Sequence, residues 1–454
     1  MVTSRFSTLW SCTRSPGGQG KHKLDRNKPV IIYRAQNCTH KFDITAKDPR
    51  FRFFGNVNVG GAVNPIVHAR NLPLESLFKT YSHVLFATGC TLPTLHSALP
   101  PSDHCIPALS IVHWYTRHPS QRTPLALDKV THVSIIGNGN VSLDVARMLL
   151  TPVSTLAQYD VPKSVLDVLS QSAVRHVSII ARRGPLEAAF TTKELRELIN
   201  LPDSLMAPLD SSILTPPPDL TLTRQQSRTL QLLHKGSINA YRSTRKTWSL
   251  DFYRSPTGIT ISPDDPSTVQ LSLAHTMVDP RTQRAVPTGK TSILPTSLVV
   301  TSLGFHGEPT ASFYDPGLGH LRTLGARIIT DKGVGLKSVY ASGWAATGAK
   351  GVLASTMMNA YAAADTILRD TLPGSEPAEL IEEIVLNPEP DLEAVPVEVE
   401  QGIMEGTIMQ YGDWKKVDEE ELRRGREARK ERERLSWEEM RLFLEIRKAS
   451  KQCR

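Results

Sequence analysis

Arg182 and Arg183 stand side by side after His176-Val177-Ser178-Ile179-Ile180-Ala181, an apolar run with the composition of a buried strand. Two guanidinium groups at a strand end can grip a phosphate through forked, charge-assisted hydrogen bonds, whereas a bare ribose 2′-hydroxyl calls for an acidic acceptor at that place. Upstream lies Gly137-Asn138-Gly139-Asn140-Val141-Ser142, preceded by Val133-Ser134-Ile135-Ile136 and followed by Val145 and Leu149, which continue the i, i+4 spacing of Val141. This is the pattern of a buried parallel strand, a glycine turn and a helix with one apolar face. Gly137 permits the tight turn, Gly139 leaves room for a pyrophosphate on the helix N-terminus, and Ser142 stands as a small residue where the fingerprint has its third glycine. Taken alone, such a turn is equally a glycine-rich loop of an α/β domain without cofactor, and an arginine pair is equally a solvated basic patch. Together they favour NADP over NAD, because the pair falls where the second strand of the same unit delivers its nucleotide-reading residue. Thr191 caps the next expected helix, Thr192 to Asn200, with Glu194 in its first turn.

A second constellation lies near the C-terminus. Val339-Tyr340-Ala341-Ser342-Gly343-Trp344 reads as a strand entering a turn, and Ala345 to Gly351 is a loop of small residues before a helix from about Leu353 to Leu368. The N-terminus of that helix suits a developing negative charge such as that of a reduced flavin. His83 to Gly89 is a further apolar strand closing on a small-residue turn, and Gly55 to Gly60 a short strand.

The elements that carry these residues alternate between strand and helix over 454 residues, of which 40% are hydrophobic. The length and composition predict an α/β chain of two or three domains. No apolar run is long enough to span a membrane. The net charge of +8 favours an acidic partner or an anionic surface. Cys12, Cys38, Cys90, Cys105 and Cys453 form no CxxC, which argues against structural zinc, a cysteine-ligated cluster or a redox dithiol. Met1 to Lys23 holds Arg5, Arg14, Lys21 and Lys23 and no acid before Asp25, the composition of a mitochondrial transit peptide or of a disordered segment. Asn37 to Asp48 reads as a helix and Pro202 to Pro218 as a loop. Arg224 to Arg254 carries seven basic residues against Asp251 alone, either a solvated face or a surface for an acidic partner.

Read together, GNGNVSLDVARMLL, ARRGPLEAAFTTKELRELINLP, DFYRSP, AVPTG, FYDPGLG, ASGWAATGAKGVLASTM and GDWKKVDEEELRRG resemble the mitochondrial NADPH:adrenodoxin (ferredoxin) oxidoreductase family, in order and at compatible spacings. FRFFGNVNVG and SIVHWY extend the resemblance upstream, so that it covers Asn37 to Leu444. It implies a two-domain flavoprotein reductase in which an FAD domain is interrupted by a Rossmann-like NADP domain. The expected boundaries are 1–36 (targeting or unassigned), 37–125 (first part of the FAD domain), 126–321 (NADP domain), 322–400 (second part of the FAD domain) and 401–454 (charged C-terminal segment). By position, Asn138, Gly139, Asn140, Val141, Arg182, Arg183 and Glu194 would bind NADP. Val59, Trp344, Gly351, Val352 and Leu353 would contact FAD, and Asp144 matches an acidic residue placed near the flavin, with a helix-surface acid as the alternative. The implied reaction passes electrons from NADPH through FAD to an acidic [2Fe–2S] ferredoxin in the mitochondrial matrix, with peripheral attachment to the inner membrane and no nucleic acid.

One part of the family pattern has no counterpart. No strand, GxGPAG turn and helix precede Asn37, and Gly17-Gly18-Gln19-Gly20 follows no strand and opens no helix. The chain is therefore expected to be a truncated or misassembled form, or a variant with half its flavin site, and to expose apolar surface and an unpaired strand edge there. Two other readings stand beside the main one. The electron-input module of glutamate synthase would require a cysteine-rich cluster segment, and a catalytically inactive NADP-binding protein would keep the NADP unit alone.

Overall fold

The computed structural model describes residues 42–61, 66–120, 124–237, 245–351, 353–372, 382–391 and 393–452. The expected targeting segment lies outside them, as do Arg242 and Val352. The expected helix at 37–48 is described only from Phe42, with residues 42–45 helical.

In chain order the principal elements begin with β1 (Val57–Val59), β2 (Arg70–Leu72), β3 (Val84–Phe86), β4 (Cys105–Pro107) and α1 (Ala108–Tyr115). They continue with β5 (His132–Ile136), α2 (Asn140–Leu150), β6 (His176–Ala181), α3 (Thr192–Ile199), β7 (Ser204–Met206), α4 (Arg224–Lys235) and β8 (Lys246–Phe252). Three long strands follow, β9 (Arg254–Ile261), β10 (Val269–Val278) and β11 (Ala285–Thr296), and then β12 (Leu298–Thr301). The last group is β13 (Arg327–Ile329), β14 (Gly335–Ala341), α5 (Leu353–Thr371), α6 (Tyr411–Glu427) and α7 (Trp437–Gln452).

The central sheet is parallel throughout, in the order β4-β12-β5-β6-β8-β7. Such sheets are covered on both faces, and here Val133, Ile135, Val177, Ile179, Trp248 and Leu250 pack on the helix side while Ile136, Ile180 and Val299 meet β10. β9, β10 and β11 form an antiparallel ribbon over that second face. The other sheet joins β3 to β14 in parallel, with Val84 opposite Val339 and Phe86 opposite Ala341. Its core is Val57, Leu72, Leu77, Phe86, Phe313, Ile328 and Val339.

Sheet membership moves the expected boundaries. β4 pairs with β12, and Ala108, Ile111 and Trp114 of α1 are buried with α2, so the central unit starts before residue 126. Phe313 and Leu321 pack with the other core, so it also ends before residue 321. The first shift arises because an edge strand joins whichever sheet has a free edge, which sequence order does not show. The expected loop at 202–218 contains β7, and the basic segment at 224–254 contains α4 and β8, whose Trp248, Leu250 and Phe252 are buried.

Loop residues flanking α6 touch both units. Gly55 and Met409 form an isolated bridge, while Arg434 pairs with Asp160 and Lys163 N–H donates to Glu433 at 3.0 Å. Among the described residues β3 pairs with β14 alone, and Leu85 is 46% exposed. Met358 and Tyr361 of α5 are also well exposed.

Candidate nucleotide-binding site

The glycine turn is pinned from two sides. Gly137 N–H donates to Ile180 O at 2.9 Å, and Ser302 N–H donates to Ile136 O at 2.8 Å. Gly137 has φ +120°, and a methyl group there would run into the Ser302 carbonyl oxygen and stand 3.1 Å from its carbon. Only glycine meets both conditions. Gly139 is the extended N-cap of α2 and has no heavy atom within 4 Å of the Cβ position, so the approach to the first-turn N–H groups is open. Asn140 Oδ1 accepts Thr191 N–H at 2.8 Å, and Thr191 Oγ1 accepts Glu194 N–H at 3.4 Å. The N-termini of α2 and α3 are thereby tied side by side, which concentrates positive dipole ends at one place.

Arg147 holds the same two helices together further along. Its buried guanidinium pairs with Asp144 and Glu197, and with Glu194 at 3.0 Å. Burial opposes the Arg147 charge, but Asp144, Glu197 and Glu194 outweigh it and raise its pKa. Burial also raises the Glu197 carboxyl's pKa against the pull of Arg147. Arg147 escaped the sequence reading, although its i+3 spacing from Asp144 was a usable signal. At the far end of α2, Lys246 Nζ donates to Leu149 O at 2.8 Å, which satisfies a C-terminal carbonyl.

Arg182 and Arg183 leave the carboxyl end of β6, the side of a parallel sheet on which ligands lie. Arg182 is exposed and Arg183 half-buried, and neither forms an ion pair among the described residues. Asn138, Gly139, Asn140 and Val141 border the neighbouring turn, which follows strand β5 beside β6.

The C-terminal constellation belongs to the other sheet. Trp344 Nε1–H donates to Lys350 O at 3.0 Å and closes the small-residue loop, while Cys90 S–H donates to Trp344 O at 3.3 Å. Burial pushes the Cys90 thiol up to about 11, so it is no thiolate. Gly351 (φ +88°) precedes α5, whose backbone starts at Leu353. Val59 packs on the same core as Ala345 and Ala346. A small-residue, backbone-lined loop before a 19-residue helix fits the ring end of a flavin. Asp144 is committed to Arg147 on α2. No group of three or more metal-ligating side chains occurs among the described residues, and no described helix is long and apolar enough to cross a membrane.

No protein-family model matches the chain. It is 33% identical over 425 residues to the mitochondrial NADPH:adrenodoxin oxidoreductase of Bos taurus, covering 88% of this chain and 79% of the relative. The Homo sapiens protein of the same name is 34% identical over 420 residues with the same coverage. The solved structure of Mycobacterium tuberculosis FprA in complex with NADPH superposes with a TM-score of 0.72 at 28% identity, covering 89% of this chain and 86% of that one. With the pinned glycine turn and the arginine pair in place, these similarities show that the chain belongs to the NADPH:adrenodoxin and ferredoxin oxidoreductase family.

Proposed function

We propose that this chain takes electrons from NADPH and passes them through FAD to a ferredoxin. The observation that carries the proposal is the arginine pair at the end of β6 beside two tied helix N-termini. In this reading Arg182 and Arg183 hold the 2′-phosphate by charge-assisted hydrogen bonds. Gly139, Asn140 and Val141 take the pyrophosphate on the free N–H groups of α2, with Asn138 lining the turn and Glu194 beside it. Trp344, Gly351, Val352 and Leu353, with Val59, line the flavin, and Gly351 meets the nicotinamide end. When bound, FAD would take hydride and release electrons singly, while the protein supplies orientation and electrostatics. Asp144 serves as a fixed negative charge held by Arg147.

The ferredoxin of this reading is an acidic [2Fe–2S] protein that meets the basic face of α4, where Arg224, Arg228 and Lys235 are exposed. The mitochondrial matrix fits the acid-poor, basic start of the chain and the mitochondrial relatives, and attachment at the inner-membrane surface would need no transmembrane span. Replacing Arg182 and Arg183 by alanine is expected to weaken NADPH binding by about 1.5–3 kcal/mol per lost contact, with far less effect on NADH. Equal losses would reject the assignment.

The alternative reading is an NADP-binding protein without redox activity. A flavin absorption spectrum of the purified chain separates the two readings.

A further inference from the structure

The turn that carries the arginine pair is held by residues from outside it. Arg182 O accepts Thr276 Oγ1–H at 2.7 Å, and Arg183 O accepts Tyr253 N–H at 3.4 Å. Gly184 N–H donates to Glu187 at 3.0 Å. Gly184 has φ −84°, which any residue adopts, so its glycine answers to space rather than to conformation. The Tyr253 phenol lies where a side chain would be, its Cζ 2.6 Å and Cε1 3.1 Å from the Cβ position. Thus all three residues of Arg182-Arg183-Gly184 rest on outside partners.

Those partners sit where the chain changes from the parallel sheet to the antiparallel ribbon. Tyr253 is the single residue between β8 and β9 and has φ +57°, a left-handed conformation that costs a non-glycine residue free energy and persists only when its surroundings hold it. Tyr253 O accepts Thr276 N–H at 3.0 Å and Arg254 Nη1–H at 2.9 Å. Thr276 is 7% exposed and lies at a register shift in β10, where a bulge re-aims side chains. A forked phosphate contact depends on the direction from which each arginine leaves the backbone, so an arginine anchored in this way loses less freedom on binding.

We propose that Tyr253 and Thr276 are positioning residues that set selectivity for a 2′-phosphate by fixing the backbone from which Arg182 and Arg183 extend. The inference rests on the NADP reading of that pair. It assigns the ribbon β9-β10, which carries none of the residues named for nucleotide binding, a part in coenzyme choice.

The test uses the full chain and two probes, 2′,5′-ADP and 5′-ADP, titrated by calorimetry so that no flavin chemistry enters. The parent should prefer 2′,5′-ADP by about 10–100-fold, the worth of one charge-assisted hydrogen bond. Tyr253→Gly keeps the left-handed backbone and removes the ring, and Thr276→Val keeps the shape and removes the hydroxyl. Each should lower the preference about tenfold while leaving 5′-ADP affinity within about twofold. Thr276→Ser, which restores the hydroxyl, should recover the preference. If Tyr253→Gly fails to fold, the contrast between Thr276→Val and Thr276→Ser decides. An unchanged preference in the folded variants, or equal losses for both probes, overturns the positioning role. No preference in the parent overturns the NADP reading instead.

Discussion

Gly137, just after β5, faces the carbonyl oxygen of Ser302, just after β12, with no room for a methyl group between them. The two residues follow adjacent parallel strands, and their close approach forms the floor of the glycine turn. Gly137→Ala would meet both the +120° φ and the backbone collision, so it should lower stability by about 2–4 kcal/mol. Urea unfolding measures the loss, and affinity for 2′,5′-ADP should fall with it. A variant as stable as its parent would mean that the Ser302 backbone yields freely.

Arg147 is predicted to matter for stability more than for chemistry. Arg147→Met leaves Asp144, Glu194 and Glu197 close together without the guanidinium they share, at a cost of about 3–5 kcal/mol at neutral pH. Burial raises the Glu197 carboxyl's pKa, and loss of the guanidinium removes the group that pulls it down, so Glu197 protonation should shrink the deficit by about 1 kcal/mol between pH 7.5 and pH 5. Denaturation of parent and variant at both values checks this, and a pH-independent deficit would point to lost packing instead.

Association with an acidic ferredoxin should depend on salt. Arg224, Arg228 and Lys235 are exposed on α4, and exposed charges are screened over about 8 Å at physiological ionic strength. Arg228→Glu with Lys235→Glu should slow association at low salt and flatten its salt dependence, read by surface plasmon resonance. Rates that ignore both salt and the substitutions would move the partner elsewhere.

His132 and His176 supply a pH dependence within the central sheet. Burial, then the neighbouring His176, holds His132 down to about 4, and burial lowers His176 as well. Both therefore bind protons more weakly folded than unfolded, so the stability they contribute is present above their ordinary value near 6.5 and is lost as pH falls toward about 4. Each group can impose a slope of up to about 1.4 kcal/mol per pH unit. His132→Gln should flatten the profile between pH 6.5 and 4, and an unaltered slope would shift the cause to other groups.

The strand, turn and helix from Val133 to Leu150 were legible in the sequence, because apolar spacing and glycine placement are consequences of contacts within a few residues. So was the position of the arginine pair, which stands at the end of the next strand of the same unit. Helix α5 was legible from Leu353 onward, although its exposed Met358 and Tyr361 were not foreseeable residue by residue. The tertiary structure alone decided which glycines were needed and why. Ser302 makes Gly137 obligatory and Tyr253 does the same for Gly184, each from a distant part of the chain. It also drew β4 into the central sheet and put Lys246–Phe252, at the end of the basic run, into an interior strand with Trp248 fully buried. Spacing records what a residue does with its near neighbours, whereas a free sheet edge or an occupied Cβ position exists only once distant segments have packed.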